Sequence, residues 1–567
     1  MANSSKYLGC HSGAGCAVLL RRERTWIPWL HPGWKPIKMR QLMLMPRPAP
    51  IPPASAPAPA LPRLRVGKLC IAIQAGSAVE MVERAEAALA DGKFLEFRLD
   101  SLAKPAAALP KLQEFLAAHR DVIAIATCRR KQFGGNFAGS LNSEFEVLSK
   151  AAESGCAIVD LEVESAEAAK PAALARFRDG LRAAGAALLL SFHDFNKTKG
   201  LEQAAARIEA FAPDFVKVVS TARTLADNLA VLRLIEDHSL SAQVVGIAMG
   251  EEGLVSRVLG PRAGASFTFA AFSDGAETAP GQITAHTLRD LYRVEQLDQA
   301  TRIFGVAGNP IAHSLSPLMQ NTAFRKENVN AVLLPLKVRA LNDLLKLARE
   351  LPLAGVAVTM PLKQKLLPHL ANMDALTAKI GACNTLRIGG DGSIVGFNTD
   401  VAGVVRPLEK RLRLKGARIA VLGAGGAARA AVFGLVEQGS EVFIVNRTHE
   451  TAVALAKEAK AKALKHEAFA KNRFDVLINS TPCGMAGSKQ AMPIAEGELN
   501  ARLVFDMVYN PLHTPLLKLA ASRGIPVVTG LEMFVQQGAR QFEIWTGKPA
   551  PEAEMLRVVE LELRRRG

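Results

Sequence analysis

Residues 418–448 read RIAVLGAGGAARAAVFGLVEQGSEVFIVNRT, and this stretch decides the fold of the second half of the chain. An apolar run, Ile419 to Leu422, is followed by a glycine-rich turn and then by an Ala-rich segment of helical composition. Strand, tight turn and helix in this order are the context that a dinucleotide-binding fingerprint requires. The glycines let the backbone approach a pyrophosphate, and free N–H groups at the helix start stabilise its charge. They are Gly423, Gly425 and Gly426, and Ala428 takes the third small position.

The strand that follows, Glu441 to Val445, indicates which dinucleotide the turn binds. An NAD site usually has Asp or Glu at the end of this strand, where the carboxylate binds the ribose hydroxyls. Here the strand ends in Asn446, Arg447 and Thr448, so a cation stands where a 2′-phosphate would lie. The sequence therefore predicts NADP(H) as the cofactor.

The composition is that of a large folded protein with a basic balance. The 567 residues suggest roughly three to four domains or lobes, and 49% hydrophobic with 22% charged residues is typical of folded chains. A net charge of +17 would suit nucleic acid, but Lys and Arg are scattered and only 5% of residues are aromatic. We therefore expect small anionic substrates as partners, and no nucleic acid. We expect no membrane partner, because no apolar run reaches the roughly 18 residues of a membrane span.

The cysteines indicate the compartment and the absence of a metal. None of the seven shows CxxC spacing, which argues against a structural zinc site and against a disulfide framework. We expect no bound metal and a reducing compartment.

Residues 1–64 are a predicted disordered leader. Pro46 to Pro62 is a Pro/Ala run of the kind that makes extended linkers. The apolar run Cys16 to Leu20 precedes basic residues, which is the wrong order for a secretory signal. We expect a cytoplasmic protein, or a plastid protein if the leader is a transit peptide, and we expect much of the leader to be dispensable.

Residues 65–298 alternate short apolar runs with helix-like stretches. Eight such runs predict a closed (β/α)8 TIM barrel as the first folded unit. Catalytic residues in this fold lie at the carboxyl ends of the strands, so polar residues there are candidates. They are Glu96, Arg98, Thr127, Arg129, Glu162, His193, Asp194 and Lys217, with Met249 also at a strand end.

Lys217 and His193 lie on neighbouring predicted strands. Burial of Lys217 in the run DFVKVVS disfavours the charged amine, and a neutral amine can attack a carbonyl to form an imine. His193 suits general base and acid work near neutral pH. Three cations at the same rim, Arg98, Arg129 and Arg257, suit the binding of a carboxylate. The alternatives are an ion-paired structural lysine, a structural histidine and surface arginines.

The segments FLEFRLD, TCRR followed by GG, SFHDFNKT, DFVKVV, IAMGEEGLVSR and ETAPGQI resemble the type I 3-dehydroquinate dehydratases across essentially the whole unit. The resemblance implies syn dehydration of 3-dehydroquinate to 3-dehydroshikimate, with Lys217 as the Schiff-base lysine and His193 as the general acid and base. It implies substrate binding by Glu96, Arg98, Arg129, Arg257, Gln282 and Thr278, the last where the family usually has Ser. One departure is Phe133, which stands where the family often has Glu.

The remaining residues begin a new αβ pattern, which we divide into three parts. Residues 300–413 are the predicted substrate-binding lobe, residues 414–530 the Rossmann NADP-binding lobe, and residues 531–567 the C-terminal helices that return to the substrate lobe. The strands expected in the substrate lobe are Arg302 to Ala307, Val332 to Leu336 and Val356 to Met360.

Two pairs of polar residues in the substrate lobe suggest a ketone reductase. Ser314 and Ser316 precede a predicted helix, where hydroxyls and free N–H groups bind a carboxylate. Lys363 and Asp400 together suit an ion-paired proton relay for a hydride transfer that creates an alkoxide. Taken singly, Ser316 and Asp400 are ordinary helix caps and Lys363 an ordinary loop lysine.

The segments GNPIAHSLSP, VTMPLK, IGACNT, GFNTD, GAGGAAR, NRT, NSTPCGM, DMVYNP and GLEMFVQQG resemble the shikimate dehydrogenases along this whole unit. The resemblance implies Lys363 and Asp400 as catalytic residues. It implies shikimate contacts by Ser314, Ser316, Thr359, Asn384, Tyr509 and Gln537. It implies cofactor contacts by Gly423, Gly425, Gly426, Ala427, Asn446, Arg447, Thr448, Thr481 and Met507. The family commonly has His before its catalytic Lys, where this chain has Leu362.

The sequence thus predicts one chain with two consecutive activities: dehydration of 3-dehydroquinate through an imine on Lys217, then NADPH-dependent reduction of 3-dehydroshikimate to shikimate. Two alternatives remain. The first is a quinate/shikimate dehydrogenase that uses NAD and carries a weak or inactive barrel. The second, from another class, is a basic nucleic-acid binder with decayed enzyme units.

Overall fold

Eight short apolar strands form the first of three sheets in the computed structural model, which describes residues 64–488 and 490–566. All of the described residues belong to one compact unit. The predictions made for residues 1–63 of the leader lie outside the described residues.

The first sheet is a parallel barrel. Its strands are β1 (Leu69–Ile73), β2 (Phe94–Arg98), β3 (Ile123–Thr127), β4 (Ile158–Glu162), β5 (Ala187–His193), β6 (Phe215–Thr221), β7 (Gln243–Met249) and β8 (Thr268–Ala271). Neighbours in chain order pair in parallel from β1 to β7, and β8 pairs with β1. The Ser266 N–H donates to Val244 O at 2.9 Å and links the chain before β8 to β7. The predicted barrel is therefore confirmed as a nearly closed one.

Helices cover the outside of the barrel. They are α1 (Ala78–Ala88), α2 (Leu109–Ala118), α3 (Leu141–Glu153), α4 (Val163–Ala168), α5 (Pro171–Ala183), α6 (Leu201–Glu209), α7 (Asp227–Ile235) and α8 (Leu254–Ala263). Every residue of β1, β2 and β4 is buried, because these strands are covered on both faces. The helices also pack on each other; Phe145 of α3 stacks on Phe177 of α5 with 4.5 Å between ring centroids.

The second sheet, formed by residues 302–397, mixes parallel and antiparallel strands. Its elements are β9 (Arg302–Gly308), α9 (Ser316–Lys326), β10 (Ala331–Lys337), α10 (Leu341–Glu350), β11 (Leu353–Val358), β12 (Asn372–Met373), α11 (Ala375–Ile380), β13 (Thr385–Ile388), β14 (Ile394–Phe397) and α12 (Asp400–Glu409). The strand order is β10-β9-β11-β13-β14-β12, with β13 antiparallel to both neighbours. The three predicted strands are present. The last three strands were not predicted, because they are short and a Gly/Asp-rich hairpin joins β13 to β14.

The third sheet is entirely parallel. Its elements are β15 (Arg418–Leu422), α13 (Gly426–Glu437), β16 (Glu441–Val445), α14 (His449–Ala459), β17 (Lys462–Leu464), α15 (His466–Phe469), β18 (Phe474–Asn479), β19 (Ala501–Asp506), α16 (Pro515–Ser522) and β20 (Val527–Val528). The order β17-β16-β15-β18-β19-β20 is that of a doubly wound dinucleotide-binding fold. The predicted Rossmann fold is confirmed, with β17 as a strand that was not predicted.

Two helices end the described chain, α17 (Gly530–Thr546) and α18 (Glu552–Arg566). A capping box starts α17: the Thr529 hydroxyl accepts from the Glu532 N–H, and the Glu532 carboxylate accepts from the Thr529 N–H. Farther along α17, Trp545 packs against Phe304 of β9, in the core of the second sheet. In the part of the chain that the structure describes, no helix is long and apolar enough to cross a membrane.

Candidate active sites

The carboxyl ends of the barrel strands enclose a narrow cavity of about 50 Å³. The eight residues that the family resemblance assigns to catalysis or substrate binding line it: Glu96, Arg98, Arg129, His193, Lys217, Arg257, Thr278 and Gln282. Of the other strand-end candidates, Met249 lines it, and Thr127, Glu162 and Asp194 do not. The eight residues come from strands β2, β5 and β6, the loop after β3, helix α8 and the loop after β8. The fold thus brings together residues that lie up to 186 positions apart, between Glu96 and Gln282.

Lys217 is buried on β6, with 4% of its surface exposed. Its Nζ donates to Asp160 Oδ2 at 2.8 Å, lies 3.9 Å from Glu96 Oε1, and lies 4.2 Å from the centroid of the Phe269 ring. Burial alone would raise the pKa of Asp160, but Lys217 and Arg129 hold it well below its ordinary range. Two carboxylates and an aromatic face therefore surround the Lys217 amine inside the barrel.

A third carboxylate, Glu162, orients the histidine. Its oxygens lie 3.2 and 3.3 Å from His193 Nδ1, and both side chains are buried. Burial lowers the pKa of His193 and Arg129 lowers it further, while Glu162 opposes the shift. His193 is therefore neutral near pH 7, with Nδ1 held by Glu162 and Nε2 left for proton transfer.

The three arginines differ in their partners. Arg98 makes a bidentate pair with Asp100, both contacts being 2.9 Å, and Arg129 bridges Glu162 and Asp160. Each is thus neutralised within the protein.

Arg257 is 1% exposed; among the described residues its Nε has no hydrogen-bond partner, and its Nη2 donates only to Pro280 O at 3.1 Å. Burial lowers its pKa to about 10. A buried guanidinium without a carboxylate partner is costly unless an anion binds to it, so Arg257 is the part of the cavity suited to a substrate carboxylate.

The remaining predicted residues of the barrel cavity are held by hydrogen bonds to each other and to Thr127. Gln282 Oε1 accepts from both the N–H and the hydroxyl of Thr278, at 2.7 and 3.1 Å, and Glu96 accepts from the Thr127 hydroxyl at 2.7 Å. Phe133 lies on a 3-10 turn, Lys131–Phe133, and does not line the cavity. The carboxylate that contacts His193 is Glu162, so the substitution at position 133 leaves this histidine with a partner.

A second cavity, of about 430 Å³, lies between the second and third sheets. Ten predicted residues line it: Lys363, Asp400, Ser314, Ser316, Thr359, Asn384, Tyr509, Gln537, Ala427 and Met507. Both predicted catalytic residues, all six predicted substrate contacts and two predicted cofactor contacts therefore share one cavity.

Lys363 Nζ donates to Asp400 Oδ2 at 2.5 Å, and Asn384 Nδ2 donates to Asp400 Oδ1 at 2.8 Å. Asn384 Oδ1 accepts in turn from the Thr399 N–H at 2.8 Å and from the Thr385 hydroxyl at 2.9 Å. Asp400 opens α12, but its carboxylate binds these side chains, so it is not merely a cap of that helix. The pair can move a proton at a fixed position in the cavity.

Gln541 also lines this cavity and was missed by sequence reasoning. It lies one helical turn after Gln537 on α17, and its Nε2 donates to the Thr385 hydroxyl at 3.2 Å. Its Oε1 is buried, and no group in the described part of the chain hydrogen-bonds to it. The spacing of four residues from Gln537 was the available signal, because positions i and i+4 of a helix share a face.

The glycine-rich turn fits a pyrophosphate. Gly423 has φ +107°, which favours glycine, and a Cβ there would lie 2.7 Å from Ser480 Oγ. A Cβ added to Gly425 or Gly426 would meet no heavy atom within 4 Å, so the space in front of the α13 N-terminus is open. Gly425 is the N-cap and contributes no side-chain cap, which leaves the first N–H groups of the helix free for an anion.

The residues after β16 lie at the same carboxyl edge of the sheet as the turn. Asn446 Nδ2 donates to Thr448 O at 2.9 Å and to the Thr451 hydroxyl at 2.6 Å, which fixes the loop. Arg447 is exposed, and within residues 64–488 and 490–566 no hydrogen bond or ion pair engages its guanidinium. Beside the turn, the Thr481 hydroxyl donates to Asn479 Oδ1 at 2.6 Å. The residues present fit a dinucleotide that carries a 2′-phosphate.

Both halves of the chain match models of known protein families. Residues 69–299 match the family model of type I 3-dehydroquinase. Residues 306–386 match the substrate-binding domain of shikimate dehydrogenase, residues 407–507 match shikimate/quinate 5-dehydrogenase, and residues 530–560 match the shikimate 5′-dehydrogenase C-terminal domain.

Individual proteins are similar over one or both halves. The chloroplastic bifunctional 3-dehydroquinate dehydratase/shikimate dehydrogenase of Arabidopsis thaliana is 34% identical over 508 residues, which cover 85% of this chain and 82% of that protein. The NADP(+) shikimate dehydrogenase of Maridesulfovibrio salexigens is 40% identical over 43% of this chain and 92% of its own. The crystal structure of Thermus thermophilus shikimate 5-dehydrogenase with NADP(H) and shikimate is 35% identical, with TM-score 0.41, over 47% of this chain and 99% of that one. Since the similarity to the Arabidopsis protein spans most of both sequences, the chain belongs to the family of bifunctional 3-dehydroquinate dehydratase/shikimate dehydrogenases.

Proposed function

We propose that the chain catalyses two consecutive steps of the shikimate pathway. The barrel dehydrates 3-dehydroquinate to 3-dehydroshikimate, and the second unit reduces 3-dehydroshikimate to shikimate. The observation that carries the proposal is geometric: each predicted catalytic pair lies in a cavity together with the predicted substrate-binding residues of the same half. The family relationship supports two activities over the alternative of a dehydrogenase with an inactive barrel.

In the barrel, Arg257 binds the substrate carboxylate and Lys217 attacks the ketone. The Lys217 amine attacks once its ammonium has lost a proton, and Asp160, 2.8 Å away, holds the nitrogen in position. Loss of water from the addition product gives the imine, which withdraws electrons from the neighbouring carbon. His193 then removes a proton from that carbon and gives it to the leaving hydroxyl, so that water departs. Hydrolysis of the imine releases the product and restores Lys217.

In the second unit, Ser314 and Ser316 bind the carboxylate of the substrate, and the Lys363–Asp400 pair lies beside the ketone. NADPH supplies the hydride when it is bound. Lys363 donates the proton that converts the ketone oxygen to a hydroxyl, and Asp400 holds the Lys363 ammonium in place. Asn384 keeps Asp400 oriented through its 2.8 Å hydrogen bond.

The cofactor assignment rests on the turn and on Arg447. The open space at Gly425 and Gly426 and the free start of α13 would hold the pyrophosphate. The unengaged Arg447 would hold the 2′-phosphate, which is why we propose NADP(H) and not NAD(H).

Borohydride trapping tests the barrel half. The intact chain is incubated with 3-dehydroquinate and reduced, and the mass of the modified peptide is read. A stable adduct on Lys217 is expected. No adduct, with NADPH-dependent reduction of 3-dehydroshikimate still present, would leave a dehydrogenase joined to an inactive barrel. Comparing quinate and shikimate with NAD and NADP in the reverse reaction tests the alternative dehydrogenase specificity.

The compartment is a separate proposal. The Arabidopsis relative is described as chloroplastic. We propose the cytoplasm for this chain and keep the plastid as the alternative, on the grounds of the leader sequence given above. Fluorescence of the full chain fused at its C-terminus, compared with a chain that starts at Arg63, would distinguish the two. Plastid import that needs residues 1–62 would overturn the cytoplasmic assignment.

A further inference from the structure

The loop that carries Thr278 and Gln282 rests on Gly250, the residue that follows strand β7. The Gly250 N–H donates to Pro280 O at 3.0 Å. Gly281 sits so close that a Cβ on it would lie 2.2 Å from Gly250 O. The same Pro280 carbonyl accepts from Arg257 Nη2 at 3.1 Å, so the loop and the unpaired arginine share one backbone anchor. The position of Gly250 therefore sets the position of the anion-binding side of the dehydratase cavity.

Gly250 is followed by a 3-10 turn, Glu251–Gly253, whose two carboxylates contact the dehydrogenase half of the chain. Glu251 and Glu252 both pair with Lys337 at the end of β10; the Glu252 contact is 3.3 Å. Arg339 adds two contacts to Glu252, from Nε at 2.7 Å and from Nη2 at 2.6 Å. Two cations of one catalytic unit thus hold the turn that supports the active site of the other.

The ion pairs of Glu252 with Lys337 and Arg339 differ in burial from the exposed ion pair that also joins the two halves. Glu252 is 6% exposed, and burial would raise its pKa, but Arg339 and Lys337 hold the pKa below its ordinary value. Arg233 of α7 and Glu350 of α10 form another ion pair between the halves, and there the side chains are 63% and 30% exposed. Removing the partners of a buried carboxylate leaves an uncompensated charge, whereas an exposed pair contributes little.

The backbone of Glu252 is also hydrogen-bonded to the barrel. The Glu252 carbonyl accepts from Asn228 Nδ2 at 2.8 Å, and Asn228 Oδ1 accepts from the Ser256 N–H at 3.0 Å, one residue before Arg257. A shift of the turn would therefore reach Arg257 by a second path, through the start of α8. Lys217 and His193, on β6 and β5, are not part of either path.

We propose that Lys337 and Arg339, which belong to the dehydrogenase half, are positioning residues of the dehydratase site. By neutralising Glu251 and Glu252 they fix the turn after β7, and through Gly250 they hold the Thr278–Gln282 loop and Arg257 in the geometry that binds the carboxylate of the substrate. The inference rests on the proposed dehydratase function. Its consequence is that substrate binding in the barrel depends on the presence and docking of the dehydrogenase half.

The test uses the full-length chain with Lys337→Ala and Arg339→Ala combined. We expect the KM for 3-dehydroquinate to rise roughly ten- to a hundredfold, because displacement of binding groups by about 1 Å has effects of this size. The kcat should stay within about twofold, since Lys217 and His193 are not displaced. Reduction of 3-dehydroshikimate should be unchanged, which also shows that the variant is folded.

Two further variants decide the interpretation. Arg233→Ala removes the exposed pair and should leave both activities at the wild-type level. Arg339→Gln keeps Lys337 beside Glu252 and should give an intermediate KM. A wild-type KM in the double variant, or a loss confined to kcat, would overturn the inference. If the double variant loses both activities, the proposal is judged by the KM of Arg339→Gln for 3-dehydroquinate. A wild-type KM in that variant would reject the proposal. A wild-type chain without dehydratase activity would instead overturn the proposed function itself.

Discussion

Asp160 Oδ2 lies 2.8 Å from Lys217 Nζ inside the barrel, and both groups are almost fully buried. A buried ion pair of this kind is a poor way to stabilise a fold, because desolvation offsets much of the attraction. It does hold the nitrogen that must attack a ketone at a fixed point of the cavity. The pair therefore makes more sense as part of the chemistry than as part of the core.

Lys217→Ala should abolish dehydration of 3-dehydroquinate and leave reduction of 3-dehydroshikimate within about twofold of wild type. The reason is that the amine is the group that forms the covalent imine, while the second cavity has its own catalytic pair. Steady-state assays of both reactions on the same preparation measure this. Lys199→Ala, which changes an exposed lysine, is the control and should leave both rates unchanged. Loss of both activities in Lys217→Ala would mean that the sites are not independent.

The pH dependence of the barrel should report His193. The pKa of His193 lies below its ordinary value of 6.5, through burial and Arg129, so the neutral base persists to a lower pH than in a free histidine. Activity should fall on the acid side only as pH drops through that lowered pKa. Glu162→Gln removes the negative charge that opposes the shift, so its acid limb should move to still lower pH, and its kcat should drop roughly tenfold or more because Nδ1 loses its anionic partner. Profiles of kcat/KM against pH measure both effects; an acid limb that moves upward would contradict the assignment.

Arg257→Met should separate stability from function. A pKa of about 10 for a buried arginine corresponds to a destabilisation on the order of 3 kcal/mol while the group is charged, that is, at all pH values well below 10. Replacing it with an apolar side chain should raise the free energy of unfolding of the ligand-free protein by about 1–3 kcal/mol. The KM for 3-dehydroquinate should rise by about a hundredfold or more, because the carboxylate loses its cation.

Chemical denaturation without substrate and steady-state kinetics measure the two effects of Arg257→Met. Arg262→Met is the matched control on the same helix, since Arg262 donates to Thr301 O and Gln299 O. That variant should be less stable than wild type, with the same KM. Lower stability in Arg257→Met would show that the fold already compensates this charge.

The sequence predicts the barrel and the Rossmann sheet because their strands are short apolar runs in a regular alternation with helices. It predicts Lys217 because a cation in such a run is unexpected. It does not predict Asp160 as the partner of Lys217, since the two lie 57 positions apart and only the closing of β4 against β5 and β6 brings them together. The strand IVDLE did carry a signal: carboxylates at alternate positions of a fully buried strand point to one face and need partners there.

The distant partners of Arg129 were equally out of reach, whereas the partner of Arg98, Asp100, lies only two residues away in the sequence. The sequence groups Arg98, Arg129 and Arg257 as equivalent cations, and only the folded structure shows that two are neutralised and one is not. The same is true of Glu252 and Arg339, whose pairing joins segments 87 positions apart. Pairwise contacts between distant segments depend on how the units dock, and no local pattern of residues encodes that.

Arg447→Ala should weaken the preference for NADPH. Its guanidinium is exposed and unengaged at the end of β16, where a 2′-phosphate would lie, so the KM for NADPH should rise roughly tenfold or more while the KM for NADH changes little. Reduction of 3-dehydroshikimate with each cofactor measures this. Arg502→Ala, an exposed arginine at the opposite edge of the same sheet, is the control and should behave as wild type. An equal loss with both cofactors would place Arg447 outside the 2′-phosphate site.

Lys363→Ala should lower the kcat for reduction of 3-dehydroshikimate by about a hundredfold or more and leave dehydration unchanged. Asn384 orients Asp400, and Asp400 holds the Lys363 ammonium at 2.5 Å, so the substitution removes the proton donor that this pair fixes in the cavity. The KM should change less than kcat, because Ser314 and Ser316 bind the opposite end of the substrate. Lys365→Ala, two residues along the same loop and exposed, is the matched control and should keep the wild-type rate. If Lys363→Ala instead raised KM alone, Lys363 would be a binding residue, and the proton would have to come from Asp400 or from water.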